Sequence, residues 1–536
     1  MAALPDSQPV TPDPQAATDT LARGAAPVPP SEPSLLTGYG RGVGWTYLSL
    51  LLTGGSTFFL AAWSVRRVGT AQYGLFALVT SVAALLTIFD YALGLTVQRA
   101  GARAGDATGA APDEHRGTVH AAHGAYVLLG MAGIAVTGVV CAIAGSLRPE
   151  GMPYLLQTVA LLGAATSLQL ATAALPAVAL ACRRFSLRSG ATVVGVAVRV
   201  AVAVAAIGRF GVAGLALAQL LGVVVERVVL AGLVRRRIPW FTIRPTIPGR
   251  SAMREVTGNA LPLLLISTSG QLFAVSDLVA VGALVGAAAV GVYQVSSLVP
   301  LYVAAVLVVG YNVVFPSLAG SDDSTGQEHA TVFLTRMFSY VGGIGLALVA
   351  LLRRDVIELL LGRPNDVAED VLLVLCAMCL ANLMVHGLAS LLIARGRQRL
   401  MARAVAIELP VNIVLTVVFV VAFGAVGAAI GTLVTAVLMN FVILPLVSRG
   451  EFGRSALRIT VGDGLVPAAI GGAVALLSAQ AARATVSPAL SLFLAASAAA
   501  VVGAGAGLAL LGGPGRTTVR EALGAHRPPE PSPEPA

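Results

Sequence analysis

Residues 74–96 read GLFALVTSVAALLTIFDYALGLT, a stretch with a single charged side chain, Asp90. An α-helix rises about 1.5 Å per residue, so a stretch of this length spans the roughly 30 Å hydrocarbon core of a bilayer. Helices that pack in the core of a soluble domain are usually shorter or carry a polar face. The stretch therefore predicts a transmembrane α-helix.

The same pattern recurs along the chain. Hydrophobic residues make up 56% of the sequence and charged residues 11%, whereas soluble domains have about 45–50% and about 25%. We predict an all-α integral membrane protein with about fourteen transmembrane helices. The apolar runs are 43–64, 74–96, 119–146, 154–181, 190–208, 211–234, 257–280, 288–316, 333–352, 371–394, 403–423, 426–447, 463–482 and 489–511.

The basic residues predict the orientation. The net charge is +9, and all 35 basic residues are Arg. If the N-terminus is cytoplasmic, about 25 of the 35 lie in cytoplasmic tails and loops. The positive-inside rule then predicts a multi-pass protein of the cell (inner or plasma) membrane with both termini in the cytoplasm. Because the arginines lie in short loops between apolar runs, we expect them to meet lipid headgroups and not nucleic acid.

Two short motifs indicate an internal repeat. Residues 68–76 (VGTAQYGLF) match 285–293 (VGAAAVGVY) at an offset of 217, and 211–214 (GVAG) match 424–427 (GAVG) at an offset of 213. Two matches at nearly one offset predict two halves of six helices each. An even number of helices gives both halves the same orientation, so the symmetry axis runs along the membrane normal. Two such halves are expected to face a central cleft.

The repeat and the composition together predict the domain boundaries. Segments rich in Pro and Ala are typical of disorder, and the prolines of the middle loop exclude a continuous helix there. The predicted parts are a disordered cytoplasmic tail (1–38), a first six-helix lobe (39–234), a cytoplasmic linker (235–256), a second six-helix lobe (257–447), two C-terminal helices (448–512) and a disordered tail (513–536).

Three stretches of the sequence resemble a known family. The segment RRVGTAQYGLFALVTSVAALLTIFDYALGLTVQRAGAR (66–103) is similar to the second-helix signature of oligosaccharide flippases. The matching positions there are Gly69, Gly74, Phe76, Asp90, Gly94, Leu95 and Arg99. In the seventh and eighth helices they are Asp277, Gly291, Tyr293, Phe315, Pro316, Leu318 and Ala319. The segment PVNIVLTVVFVVAFGAVGAAIGTLV (410–434) resembles the family's twelfth-helix region, and the likeness covers roughly residues 40–512.

The family is the polysaccharide branch of the multidrug/oligosaccharidyl-lipid/polysaccharide exporter superfamily. The resemblance implies a flippase and not an enzyme. Such a protein moves a polyprenyl-pyrophosphate-linked oligosaccharide from the cytoplasmic to the outer leaflet by alternating access, for cell-surface polysaccharide biosynthesis. It implies the lipid-linked glycan and membrane lipids as partners, with polysaccharide assembly proteins as further candidates. It implies no cofactor beyond a coupling ion, H⁺ or Na⁺.

Three other functions remain open from the sequence, one of which is a non-transporting assembly partner. A cation-coupled multidrug antiporter of the same superfamily shares the architecture but usually has twelve helices. A polytopic glycosyltransferase or polysaccharide polymerase would act on the same lipid. Such an enzyme requires a sizeable extracytoplasmic loop, and here the longest one on that side, residues 353–370, is short.

Arg199 is the most unusual charged residue, since it lies near the middle of the fifth apolar run. A charge at the centre of a membrane helix costs about 2.5–3.5 kcal/mol on insertion scales, so it requires a reason. A guanidinium matches phosphate oxygens in a bidentate manner. We predict that Arg199 lines the cleft and binds the pyrophosphate; the alternative is an ion pair with a neighbouring helix. The repeat offset places Asn412 at the equivalent position of the second half.

Other charged residues within or next to the apolar runs have predicted roles. Asp277 and Glu408 are candidates for H⁺ or Na⁺ coupling, because a buried carboxylate tends to bind a proton or a cation. The alternative is a partner for Arg199 or another polar contact between helices.

Three further arginines and one more carboxylate lie near the ends of helices. Asp90 and Arg99 resemble the family signature and are predicted to cap a helix or close the cytoplasmic gate, the alternative being contact with the substrate. Arg66 and Arg67 are candidates for contact with the pyrophosphate on release, the alternative being anchoring at the headgroups. No spacing of His, Cys, Asp or Glu predicts a metal site.

Overall fold

The computed structural model of the protein describes residues 35–104, 113–147, 154–182, 184–242, 261–319, 324–451 and 456–483. Within these ranges every regular element is helical and no strand occurs. The predicted C-terminal tail and fourteenth helix, nearly all of the N-terminal tail and most of the linker 235–256 lie outside the described residues.

The elements of the first half are α1 (Leu35–Ala84), a 3₁₀ turn (Leu85–Thr87), α2 (Ile88–Ala104), α3 (Asp113–Leu147), α4 (Leu155–Ala171), α5 (Ala174–Ala181) and α6 (Phe185–Arg237). Those of the second half are α7 (Leu261–Leu284), α8 (Ala287–Ala319), α9 (Ser324–Leu351), α10 (Arg353–Leu361), α11 (Asp366–Ala394), α12 (Gln398–Leu438), a π-helical turn (Met439–Ile443) and α13 (Leu444–Val447). The last described segment consists of α14 (Ala456–Arg458), a second π-helical turn (Ile459–Leu465) and α15 (Val466–Arg483).

The described residues contain nine stretches that are long and apolar enough to cross a bilayer. Three of them, 44 to 53 residues in length, each include a glycine at which the helix breaks. The chain is therefore a multi-pass membrane protein with an all-helical fold, as predicted. The exact number of fourteen helices is not confirmed, because the run 489–511 lies outside the described residues.

The repeat motifs identified in the sequence occupy equivalent turns. Gly69 and Gly286 have φ of 83° and 121°, and Gly211 and Gly424 have φ of 52° and 62°. A side chain with a Cβ disfavours these angles, whereas glycine adopts them readily. Gly69, Gly211 and Gly424 each divide one helix into two arms, which we call α1a and α1b, α6a and α6b, and α12a and α12b. Gly286 lies between α7 and α8. The matched turns make the two halves pseudo-symmetric.

The two halves meet where α1b crosses α8. A Cβ added at Gly74 would overlap the backbone of Ala287 and Gly291, and a Cβ added at Gly291 would overlap the backbone of Thr70. The two helices thus contact each other backbone to backbone, which small residues permit in membranes. This contact lies one to two turns from the breaks at Gly69 and Gly286, and we call this end of the bundle the hairpin end.

The interior of the bundle is apolar and so is much of its surface. The largest buried cluster joins residues of both halves, among them Leu60 and Val281. On the surface, Val228, Val421 and Phe423 are 66%, 72% and 58% exposed. Exposed apolar side chains of this size fit a helix surrounded by hydrocarbon, where the backbone bonds are satisfied within the helix.

The thirteenth predicted helix packs on the second half through α9. A Cβ at Gly343 would overlap the carbonyl of Ala468, so the helices lie very close. Next to this contact, Arg336 on α9 donates to Asp463 Oδ1 from Nε at 2.7 Å and from Nη2 at 2.5 Å. The ion pair compensates the charge of a carboxylate that lies in an otherwise apolar helix.

Candidate functional site

Arg199 lies in the middle of α6a and points towards α1a and α6b. Its Nη2 donates to Ser56 Oγ at 2.8 Å and to Thr57 Oγ1 at 3.3 Å, and its Nη1 donates to Gln219 Oε1 at 3.4 Å. Gly222 and Gly195 allow the arms of α6 to approach closely here, because a Cβ at Gly222 would lie 2.9 Å from the Arg199 Cβ. The three acceptors are neutral.

The positive charge of Arg199 has no carboxylate within 4 Å among the residues that the structure describes. Glu226, further along α6b, attracts it from a greater distance and accepts a bond of 3.1 Å from Thr192 Oγ1. The Arg199 Nε is buried and has no acceptor in the described structure. An intramolecular ion pair, the alternative interpretation of Arg199, does not occur among the described residues.

Arg199 lines a cavity of about 260 Å³. The cavity lies between α1a, α1b, both arms of α6, and α8, so it has walls from both halves. Its lining residues include no Asp or Glu in the described part of the chain. They are Thr57, Leu60, Ala61, Ser64, Tyr73, Phe76, Ala77, Thr80, Ser81, Arg199, Ala203, Leu215, Ala218, Gln219, Gln294 and Leu298.

The second half has a polar site at the equivalent position, with different chemistry. Asn412 and Thr432 are the residues 213 positions after Arg199 and Gln219. Asn412 Nδ2 donates to Thr432 Oγ1 at 3.5 Å, as Arg199 donates to Gln219. The same pairing of helices therefore carries a cation in the first half and a neutral amide in the second.

The charge at this second site is the carboxylate of Asp277 on α7, which is 4% exposed. It accepts three hydrogen bonds from hydroxyls: from Thr432 at 2.7 Å, Tyr293 at 2.8 Å and Thr416 at 3.0 Å. Hydroxyl donors stabilise a carboxylate without neutralising it, so the site retains its negative charge when ionised. Asp277 and Arg199 do not form an ion pair.

Glu408 lies on α12a on the same face as Asn412 and Thr416, since residues four apart stack along a helix. Its side chain is half-buried. No ion pair reaches it within the described ranges. Glu408 thus lies about two turns along α12a from Thr416, the residue of that arm that donates to Asp277.

The predicted gate residues Asp90 and Arg99 are only partly described. Tyr126 of α3 donates its hydroxyl to Asp90 Oδ1 at 2.8 Å and to the Asp90 carbonyl at 2.9 Å. Asp90 also lines a crevice of about 200 Å³ together with Gln98 and Arg188. The side chain of Arg99 lies outside the described part of the structure, so its pairing with Asp90 stays a prediction.

Arg66 and Arg67 lie at the hairpin end and differ in their contacts. Arg66 Nη2 donates to the carbonyl of Leu359 in the last turn of α10, where helix carbonyls lack partners. It lines a crevice of about 560 Å³ together with Glu358 and Arg363. The guanidinium of Arg67 lies over the ring of Trp63, 5.8 Å from its centre.

Several site residues were not predicted from the sequence. Ser56, Thr57 and Gln219 hold Arg199, and Gln294 enters the cavity from the second half. Uncharged polar residues are common in membrane helices, so none stood out on its own. The offset of 213 was a usable signal, because it pairs Gln219 with Thr432 as it pairs Arg199 with Asn412.

Two pseudo-symmetric helical halves around a cavity that contains polar side chains are an architecture common among membrane transporters. A family model described as "Polysaccharide biosynthesis protein" matches residues 39–321, more than half of the chain. The chain belongs to this polysaccharide biosynthesis family, which confirms the resemblance seen in the sequence.

Several solved structures of membrane transport proteins have a similar fold. The lipid II flippase MurJ in an inward closed conformation is 11% identical, with 90% of this chain and 100% of that one covered and a TM-score of 0.61. An inward-facing multidrug resistance MATE transporter is 14% identical, covering 79% and 95%, with a TM-score of 0.56. A variant of the Vibrio cholerae MATE transporter VcmN is 15% identical, covering 78% and 99%, with a TM-score of 0.52. None of the curated proteins matches the sequence.

Proposed function

We propose that the protein is a flippase that moves a polyprenyl-pyrophosphate-linked oligosaccharide from the cytoplasmic to the outer leaflet by alternating access. The observation that carries the proposal is the guanidinium of Arg199 in a cavity between the halves, held by neutral acceptors and without a carboxylate within 4 Å among the described residues. A transported anion is the partner that such a charge lacks.

The chemistry of the substrate fits this site. A pyrophosphate has several oxygens that accept charge-assisted hydrogen bonds, and a guanidinium donates two of them in parallel. Away from water such bonds are electrostatically stronger, so Arg199 offsets part of the cost of moving an anion into the membrane. Membership in the polysaccharide biosynthesis family supports a glycan as the group attached to the phosphate.

The remaining predicted residues take supporting roles in this proposal. Asp90, with Arg99, closes the cytoplasmic side. Arg66 and Arg67 meet the pyrophosphate at the opposite side on release, in the orientation with both termini in the cytoplasm. Polysaccharide assembly proteins would supply the lipid-linked glycan on one side and consume it on the other.

The test of this function is transport by the purified full-length protein in liposomes. The substrate is a fluorescent polyprenyl-pyrophosphate-linked oligosaccharide, and its leaflet is read from its accessibility to an added glycosidase. We expect transfer between leaflets well above that of empty liposomes, without a change in glycan length. Glycan elongation would instead indicate a polymerase, and efflux of organic cations without lipid transfer would indicate a drug antiporter.

We further propose that Asp277 couples transport to H⁺ or Na⁺. We expect Asp277→Asn to abolish the acceleration of lipid transfer by an imposed Na⁺ or proton gradient, because the neutral amide neither binds the cation nor takes up a proton. Slow transfer without a gradient is expected to persist, since Asn keeps the size of the side chain, its Oδ1 still accepts hydrogen bonds, and its NH2 can donate to a hydroxyl oxygen on the other side. The measurement compares transfer rates with and without each gradient.

Glu408→Gln is the second variant to be tested for ion coupling. Glu408 lies on the same face of α12a as Thr416, which donates to Asp277. Asn412→Ala serves as the control, since it changes a neutral neighbour of Asp277 and leaves the charge in place. If the Asp277 and Glu408 variants both responded to the gradients as the unchanged protein does, ion coupling through these carboxylates would be excluded.

A further inference from the structure

The cavity has two chemically different ends. Thr57 and Ser64 both line it and lie seven residues apart on α1a, which is roughly 10 Å along the helix axis. Thr57 marks the end at which Arg199 is bound. Ser64 lies towards the hairpin end, where the cavity has neutral polar groups and aromatic rings but no charge among the described residues.

The buried hydroxyl of Ser64 indicates that a ligand binds at this end of the cavity. Its side chain is 0% exposed and lines the cavity, and its Oγ has no hydrogen-bond partner in the described structure. An unpartnered buried hydroxyl costs about 1–3 kcal/mol, and most such groups in folded proteins are paired. A bound molecule with hydroxyl groups would provide the missing partner.

Gln294 is the second polar group near this end, and it comes from the other half of the protein. It lies on α8, one turn after Gly291, where α8 crosses α1b. Its amide both donates and accepts hydrogen bonds, which matches a hydroxyl or an acetamido group. A ligand bound by Ser64 and Gln294 would contact both halves at once.

Two aromatic rings also line the hairpin end of the cavity. Tyr73 and Phe76 line the cavity, with ring centres 6.2 Å apart and planes inclined by 30°. Neutral hydroxyl and amide groups beside aromatic rings suit a sugar, which has hydroxyls at its rim and C–H groups on its faces. An organic cation would instead favour a carboxylate, and none lines the described cavity.

We propose that the hairpin end of the cavity binds the sugar attached directly to the pyrophosphate, with Gln294 as the residue that determines its specificity. This proposal rests on the proposed function and adds to it the position of each part of the substrate. The phosphate lies at Arg199 and the first sugar lies towards Ser64 and Gln294. At about 260 Å³ the cavity is slightly smaller than usual ligand pockets, so it takes only this part of the substrate.

The experiment uses the full chain in liposomes and two fluorescent lipids, polyprenyl pyrophosphate with and without one attached sugar. We expect Gln294→Leu to lower transfer of the sugar-bearing lipid about tenfold and to leave transfer of the sugar-free lipid within twofold. Ser64→Ala is expected to change transfer in the same direction by about threefold. These factors correspond to the loss of one or two neutral hydrogen bonds.

Gln169→Leu is the matched control, because Gln169 is a partly buried glutamine on α4 that does not line the cavity. Equal losses for both lipids in Gln294→Leu, or no loss for either, would overturn the sugar site. Failure of the proposed function has a different signature, namely that the unchanged protein transfers neither lipid.

A binding measurement covers the case in which a variant inserts or folds poorly. In detergent, the unchanged protein is expected to be stabilised more by a short-chain prenyl pyrophosphate with one sugar than by the same compound without it. In Gln294→Leu the difference between the two melting temperatures is expected to disappear, with stabilisation by the sugar-free compound retained. An equal difference in both proteins would contradict the assignment.

Discussion

Replacing Arg199 by Gln is expected to lower lipid-linked oligosaccharide transfer about 100-fold. Gln keeps a polar side chain that Ser56 and Gln219 can still contact, but it removes the charge and the paired donors. Two charge-assisted hydrogen bonds to a phosphate contribute about 3 kcal/mol or more, which corresponds to a factor of roughly 100. The measurement is the initial rate of transfer in liposomes that contain equal amounts of folded protein.

Arg199→Lys tests whether the positive charge is sufficient without the donor geometry of the guanidinium. Lysine keeps the positive charge but lacks the planar fork of donors, so we expect an intermediate loss of about tenfold. Arg209→Gln is the control, because Arg209 lies on the same arm, α6a, with an exposed side chain away from the cavity. Full activity of both the Gln and the Lys variant at position 199 would remove Arg199 from the mechanism.

Much of the fold was predictable because a bilayer imposes a simple rule on sequence. Every backbone polar group must be satisfied within the span, so the spans are helices and appear as long apolar runs in the sequence. The glycines of the repeat motifs lie at the turns between these runs. Gly69, Gly211 and Gly424 each break a continuous helix at a predicted boundary between two runs. The contact between Gly74 and Gly291 was not predicted, since nothing in one motif indicates that it touches the other.

The candidate site was predictable only for its charged members. Arg199 and Asp277 stood out because charges are rare in membrane helices. Their surroundings come from distant parts of the chain: Ser56 lies 143 residues from Arg199, and Thr432 lies 155 residues from Asp277. The sequence therefore left two alternatives open for Arg199, an ion pair or a substrate contact, because spacing along the chain does not show which side chains surround its guanidinium.

The second large effect is expected at the crossing of the two halves. Gly74→Val is expected to lower lipid transfer at least tenfold, because its side chain would overlap the backbone of Ala287 and Gly291 and force α1b away from α8. Overpacking of this kind typically costs about 1–3 kcal/mol, so the protein is expected to remain folded while contact at the hairpin end is lost. A transporter that cannot close one end of its cavity does not alternate between two states.

Labelling tests this loss of closure directly. In a protein whose four native cysteines are replaced, Ala203→Cys places a thiol in the cavity. With Gly74→Val added, we expect faster labelling by a membrane-impermeant reagent from the side of the hairpin end. Gly55→Ala on α1a is the control, since a Cβ there meets nothing within 4 Å.

Gly291→Val should reproduce the effect of Gly74→Val, because both glycines form the same contact. The double variant should lose little more than either single one, since the helices are already apart after the first substitution. Additive losses, or unchanged labelling in both single variants, would show that this crossing does not close the cavity. The two halves would then have to be held together elsewhere, for instance where Arg66 binds the last turn of α10.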